Sequence, residues 1–173
     1  MRADNAELAA DLRTGQSPDE LVADLYRAHA VTLIRLALLL VGDQHSAEDV
    51  VQDAFLGLHR GLPGLREPGK EVPYLRACVV NGCRSVQRSR SRARRHAVQP
   101  EPPVWSAESA AIAAQERRDV LTAVAGLPGR AREVLALRYY LDLPDGEIAG
   151  LLGISKSTVS STASRASARC TGF

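Results

Sequence analysis

The reading of this chain turns on the stretch Pro144-Asp145-Gly146-Glu147-Ile148-Ala149-Gly150-Leu151-Leu152-Gly153-Ile154-Ser155-Lys156-Ser157-Thr158-Val159. Ile148, Ala149, Leu152, Ile154 and Val159 form an apolar wedge that sets two short helices at a steep angle. Gly153 stands at the turn between them, where a positive φ is wanted. Ser155 is placed to cap the second helix, which then presents Lys156, Ser157, Thr158, Ser160, Ser161 and Arg165 outward. Short hydroxyl and cationic side chains suit a helix entering the major groove, where they meet phosphates and base edges. A plain αα-corner has the same geometry, but the string E-I-A-x-x-L-G-I-S-x-x-T-V favours the DNA-binding form. Few cations serve this helix, so its electrostatic contribution to binding is modest and help must come from elsewhere.

That help lies upstream. Residues 1–71 hold 7 basic and 12 acidic residues, residues 72–100 hold 7 arginines and no acid, and residues 101–173 hold 8 of each, so −5 + 7 + 0 recovers the net charge of +2. The acid-free block comprises Arg76, Arg84, Arg88, Arg90, Arg92, Arg94 and Arg95. A basic block beside an acidic one points to a polyanion for the middle of the chain and a cationic partner for its front.

The organisation around these blocks is helical. With 173 residues, 45% hydrophobic and 24% charged, the chain has the balance of a globular protein. Aromatics make up 4%, so the core is built from Leu, Val, Ala and Ile, which favours helical bundles over a β-sandwich. Residues 1–16 read as an acidic leader with no apolar signal segment. Ser17, Pro18 and Glu20 read as N-cap, first position and N3 of a helix that runs to about Leu40 and is stopped by Gly42-Asp43. A second start is expected at Ser46, and Ala47, Val50, Val51, Ala54, Phe55 and Leu58 then share one stripe. Gly61 to Pro73 reads as a loop. Tyr74 to about Arg90 returns to helical spacing, with Leu75, Cys78, Val79 and Val86 inward and arginines outward. The prolines of residues 99–104 mark a domain boundary. Helices follow from Ser106, from Arg130 to Leu141, after Pro144, and from Ser155 to about Arg169. The expected fold is therefore all-α: two small helical domains, 17–96 and 116–173, joined by a flexible Pro-rich linker at 97–115.

Other chemistry finds no support. Cys78 and Cys83 lie about 140° apart around a helix, Cys170 is remote, and His29, His45, His59 and His96 lack ligand spacing. No phosphate-binding glycine loop or nucleophile elbow occurs. The expectation is no catalytic site, no metal and no cofactor. The longest apolar run, Leu36 to Val41, is far too short to span a bilayer, which predicts no membrane insertion.

Taken together, SAEDVVQDAFLGLHR (46–60), PYLRACVVNGCRSVQRSR (73–90) and LPGRAREVLALRYYLDLPDGEIAGLLGISKSTVSSTASRA (127–166) resemble regions 2.2, 2.3–2.4 and 4 of an extracytoplasmic-function RNA polymerase sigma factor. The composition is similar to actinobacterial members. The resemblance implies a cytoplasmic, non-enzymatic promoter-recognition subunit, associated with the nucleoid through polymerase. It implies that Glu48, Asp49, Gln52 and Asp53 dock on the clamp helices of the largest polymerase subunit. It implies that Arg66, Lys70, Tyr74, Arg76, Asn81, Arg84, Ser85 and Arg88 meet the −10 element, where a strand opens and a base is flipped. Many members carry an acid where Ser85 stands, a departure that bears on −10 preference. Residues from Leu127 on would bind the flap of the second-largest subunit, with Ser155, Lys156, Ser157, Thr158, Ser160, Ser161 and Arg165 at the −35 duplex. An anti-sigma protein is a common companion in the family. Two other readings stay open from the residues themselves: a free-standing helix–turn–helix regulator and a degenerate sigma-like interaction protein.

Overall fold

The computed structural model describes residues 17–61, 69–96 and 124–170. The leader, the linker, the helix expected from Ser106 and Arg66 lie outside the described residues. No strand occurs among the described residues, and no described helix is long and apolar enough to cross a membrane.

Helix α1 runs from Pro18 to Val41. Its start is the capping box read from the sequence: the Glu20 amide donates to Ser17 Oγ (3.2 Å), and the Ser17 amide donates to Glu20 Oε2 (2.8 Å). It ends at Gly42, whose φ of 84° only glycine adopts readily, with the Gly42 amide donating to the Leu38 carbonyl at 2.9 Å. The last turn of α1 holds no basic residue. Its exposed carbonyls instead receive donors from distant segments: Arg90 to Val41, and Gln87 and Arg132 to Leu40.

Helix α2 runs from Gln44 to Gly61. Its cap is Asp43, not the expected Ser46: the Ser46 amide donates to Asp43 Oδ1 at 2.9 Å, and the Ser46 hydroxyl accepts from Arg90 instead. Asp43 wins the position because it both caps the helix and pairs with Arg90. Burial pushes the Asp43 carboxyl up, but its bonds to Arg90 and Ser46 outweigh this and hold it below the ordinary carboxylate value.

Helix α3, Glu71–His96, starts earlier than the spacing predicts. Pro73 falls within its first turn, where a missing N–H leaves no bond unmade. The buried face is also turned relative to the expectation. Leu75, Val79, Val80 and Cys83 are buried, whereas Cys78 and Val86 are half-buried. Leu33, Leu36, Ala37 and Leu40 of α1 and Val51, Ala54, Phe55 and Leu58 of α2 complete this core. Gly82 permits the close approach of α2 and α3, since a Cβ there would lie 2.8 Å from Val50 Cγ1.

The second half begins with α4, Gly129–Leu135, which widens into a π-helical turn at Ala136–Tyr140. Here the Leu141 amide donates to the Ala136 carbonyl (3.2 Å), so one expected helix becomes two geometries. Helices α5, Asp145–Leu152, and α6, Lys156–Cys170, follow. Val134, Leu137, Ile148, Leu152, Val159, Ala163 and Ala166 are buried between them. The two halves pack on each other, with the Tyr140 hydroxyl donating to the Thr32 carbonyl at 3.3 Å.

Candidate nucleic-acid interface

The turn between α5 and α6 is built as the sequence predicts. Gly153 sits at φ 66° and ψ 40°, and its amide donates to the Ala149 carbonyl. The Thr158 amide donates to Ser155 Oγ (3.1 Å), which makes Ser155 the cap of α6. Ile148, Ala149, Leu152 and Val159 hold the wedge, while Ile154 is half-buried. Ser155, Lys156, Ser157, Thr158, Ser160, Ser161 and Arg165 are all exposed. Their hydroxyls are ordered before any ligand arrives: Ser161 Oγ donates to the Thr158 carbonyl, and Arg165 Nε donates to the Ser161 carbonyl, both at 3.2 Å. This surface can meet phosphates and base edges with short, preset donors and acceptors.

The polar side chains described on α3 divide into two groups. Asn81, Ser85 and Arg88 are exposed, as a surface for a polyanion requires. Arg76, Arg84 and Arg90 are directed into contacts with other elements rather than outward. Arg84 donates from Nε and Nη2 to Glu133 Oε1 and Oε2 (2.7 and 2.8 Å), and from Nη1 to Asn81 Oδ1 (3.3 Å). Arg76 Nη1 lies 3.8 Å from Glu147 Oε2. Burial, with the Arg76 charge nearby, lowers the His29 pKa below its ordinary value. Glu133 is buried and also accepts from Arg130 at 3.2 Å. The bond to Glu133 raises the Arg84 pKa despite partial burial, and Cys83 behind it is pushed up to about 12 by burial and by the Glu133 charge. The sequence pattern gave Glu133 no role and used Glu147 only as the first residue of the helix–turn–helix string. The one local signal was Glu133 three residues after Arg130; nothing near Arg84 in sequence announces its partner.

Lys70 is exposed just before α3. Tyr74 packs against the core, its hydroxyl near Gly57 and Gly61 of α2. Its hydrogen bond with Cys78, the Cys78 charge and burial raise its pKa. Between α2 and α3 lies an open groove to which Asp53, Asn81 and Ser85 contribute.

On α2, Glu48, Asp49, Gln52 and Asp53 are exposed together. Glu48 accepts from Gln44, and Asp49 lies 3.6 Å from His45; both neighbours are on the same helix, which leaves the face open to a partner. Leu56 extends this face by one turn and is 45% exposed. It sits seven residues after Asp49, a helical repeat visible in the sequence but not used there. Among the described residues no group of His, Cys, Asp and Glu side chains could hold a metal ion.

Comparison with known proteins adds the following. The family description "Sigma-70 region 2" matches residues 25–93, and "Sigma-70, region 4" matches residues 117–170. The chain is 32% identical over 166 residues to the ECF RNA polymerase sigma factor SigM of Mycobacterium tuberculosis, covering 95% of this chain and 82% of that one. It is 33% identical over 147 residues to SigL of the same species, covering 82% and 81%. A probable RNA polymerase sigma factor, RfaY of Xanthomonas campestris, is 31% identical over 149 residues, covering 79% of this chain and 36% of RfaY, so the chain spans about a third of that relative's length. Among solved structures, CnrH in complex with the cytosolic domain of CnrY superposes with a TM-score of 0.68 at 24% identity, covering 96% of this chain and 94% of that one. The sigma factor RpoE in complex with the anti-sigma factor NepR from Bartonella quintana superposes with a TM-score of 0.68 at 21% identity, covering 85% and 94%. At these identities the structural likeness is one of fold.

Proposed function

The chain belongs to the extracytoplasmic-function sigma factors of RNA polymerase, and from that membership we propose how its surfaces divide promoter-specific transcription initiation. Glu48, Asp49, Gln52 and Asp53 of α2 meet basic residues of the clamp helices on the largest polymerase subunit. Charges of this exposed kind govern encounter and orientation more than final affinity. The −10 element is taken by α3 and the segment before it, through Arg66, Lys70, Tyr74, Arg76, Asn81, Arg84, Ser85 and Arg88. Cations follow a single strand while an unstacked base enters a pocket. The −35 duplex is met by α6 and its cap, through Ser155, Lys156, Ser157, Thr158, Ser160, Ser161 and Arg165, and the half from Leu127 on binds the flap of the second-largest subunit. Bond formation in RNA belongs to the polymerase. An anti-sigma protein is a further proposed partner, in keeping with the RpoE complex. Acting with polymerase, the chain works in the cytoplasm at the nucleoid.

The observation that carries this reading is the open polar face of α2. A free-standing helix–turn–helix regulator has no need of it. The test is co-elution of the purified chain with bacterial core RNA polymerase, beside a variant carrying Gln52→Ala and Asp53→Lys. Wild type is expected to co-elute and to support promoter-dependent transcription, and the variant to lose both by at least about tenfold, equivalent to about 1.4 kcal/mol. A wild type that binds duplex DNA and never associates with core would turn the assignment to the free-standing regulator.

A further inference from the structure

The hydroxyls at the start of α6 are tied to one another: Ser155 Oγ lies 2.8 Å from both Ser157 Oγ and Thr158 Oγ1. Lys156, the first residue of α6, takes another course. Its side chain lies back across the turn onto α5, where a Cβ built at Gly146 would stand 3.0 Å from its Cε and 3.3 Å from its Nζ. Charge explains the direction. A cation at the first position of a helix is opposed by the positive end of that helix. The first turn of α5 carries Asp145 and Glu147 on either side of Gly146 and attracts it. Gly146, with no side chain, leaves the backbone there open to the lysine stem.

We propose that Gly146 is a positioning residue for DNA, seating Lys156 against α5 so that its ammonium meets a phosphate of the duplex rather than a base edge. This role rests on the assignment of α6 to the −35 duplex. In a helix–turn–helix the second helix enters the major groove while the first crosses the sugar–phosphate backbone. An ammonium drawn back to the first turn of α5 therefore stands on the backbone side of the motif. Lysine suits that place as a compact point charge with rotatable donors. The acids beside its seat do not clamp it, because each also faces an arginine: Asp145 Oδ1 lies 3.5 Å from Arg138 Nη1, and Glu147 Oε2 lies 3.8 Å from Arg76 Nη1. Base reading then falls to Ser157, Thr158, Ser160, Ser161 and Arg165, which are exposed further along α6.

The test measures binding of the full chain to a pool of short DNA duplexes of randomised sequence across a salt series. Lys156→Ala is expected to weaken binding about fivefold to tenfold at about 0.1 M salt and to reduce the slope of log affinity against log salt by about 0.9, the share of one phosphate contact. Gly146→Leu covers the seat and is expected to reproduce both changes, although the lysine is still present. Gly146→Ala, whose Cβ meets only the flexible end of Lys156, should give a smaller loss of the same kind. In the Lys156→Ala background Gly146→Leu should change nothing further. The sequences enriched from the pool should be the same for wild type and Lys156→Ala. Both glycine variants should melt no lower than wild type, since each gains helix propensity.

A full salt slope in Gly146→Leu would overturn the proposal, because the lysine would then find its contact without the seat. So would a loss that persists in the Lys156→Ala background, the leucine then obstructing DNA on its own account. A shifted sequence preference in Lys156→Ala would make the lysine a reader of bases and end its role as a phosphate contact. Each of these results leaves α6 on DNA. A wild type that binds no duplex at any salt would instead remove α6 from DNA, and the role of Gly146 with it.

Discussion

Two helices of this chain are proposed to meet DNA, and they are built in opposite ways. Helix α3 has 26 residues and is dense in arginine, yet three of its arginines are paired with groups on other elements. Helix α6 has 15 residues and few charges, and its hydroxyls up to Ser161, with Arg165, face solvent after bonding to neighbours on the same helix or its cap. The comparison teaches that a run of cations describes a capacity, and that the acceptors around it decide its use. On α3 the first acceptors are the end of α1 and two carboxylates of the other half. On α6 the surface is left for a ligand.

The largest effect expected from this contrast comes from one arginine in each helix. Arg90→Ala removes the donor to the Val41 carbonyl and leaves Asp43 without its cation. It should lower stability by about 2 kcal/mol in urea unfolding, the pair being partly exposed. Arg165→Ala should change stability by less than about 0.5 kcal/mol. Its signature is weaker duplex binding, with a salt slope smaller by about 0.9. Equal stability losses in the two variants would erase the distinction between the helices.

A smaller contrast lies in two helical glycines. At Gly82 a Cβ would collide with Val50, so Gly82→Ala must spread α2 from α3 and should destabilise by about 1–2 kcal/mol after the gain in helix propensity. At Gly150 on α5 a Cβ would meet nothing within 4 Å, and Gly150→Ala should stabilise by about 0.8 kcal/mol. Thermal denaturation of both variants reads the sign directly.

The smallest effect concerns the caps. Asp43→Asn keeps a capping oxygen but loses the charge opposite Arg90, and Ser155→Ala loses the cap itself; each should remove about 1 kcal/mol at neutral pH. The folded pKa of Asp43 is depressed, so its contribution is present above the ordinary value of 3.8 and fades as pH falls through the lower, folded value. Urea titrations in acid should therefore show the Asp43→Asn difference shrinking and the Ser155→Ala difference holding. A constant difference for both would mean that the Asp43 charge is not what matters.

Much of the fold was legible because its signals are local. The Ser17–Glu20 box, the stop at Gly42, the turn at Gly153 and the cap at Ser155 each act across three or four residues. A reader of the sequence meets both partners together. Where two local signals competed, as at Asp43 and Ser46, the choice fell to Arg90, which lies 47 residues from Asp43 and cannot be read beside it. The widening of the helix at Ala136–Tyr140 was hidden for a similar reason, since propensity does not separate α from π geometry. The surfaces of α2 and α6 were likewise legible, because exposed residues on one helix face keep their spacing.

The sequence by itself thus determined the all-helical class, the helix–turn–helix and the order of the segments that match sigma regions 2 and 4. Hydrophobic period and capping chemistry act within a turn of the chain, so they survive as a readable pattern. Tertiary structure alone decided which arginines of α3 remain available. Arg84 meets Glu133 across 49 residues, Arg132 meets Leu40 across 92, and Tyr140 meets Thr32 across 108. Such pairs leave no periodic trace, because a carboxylate or carbonyl is selected by where the packed helices bring it and not by its distance along the chain.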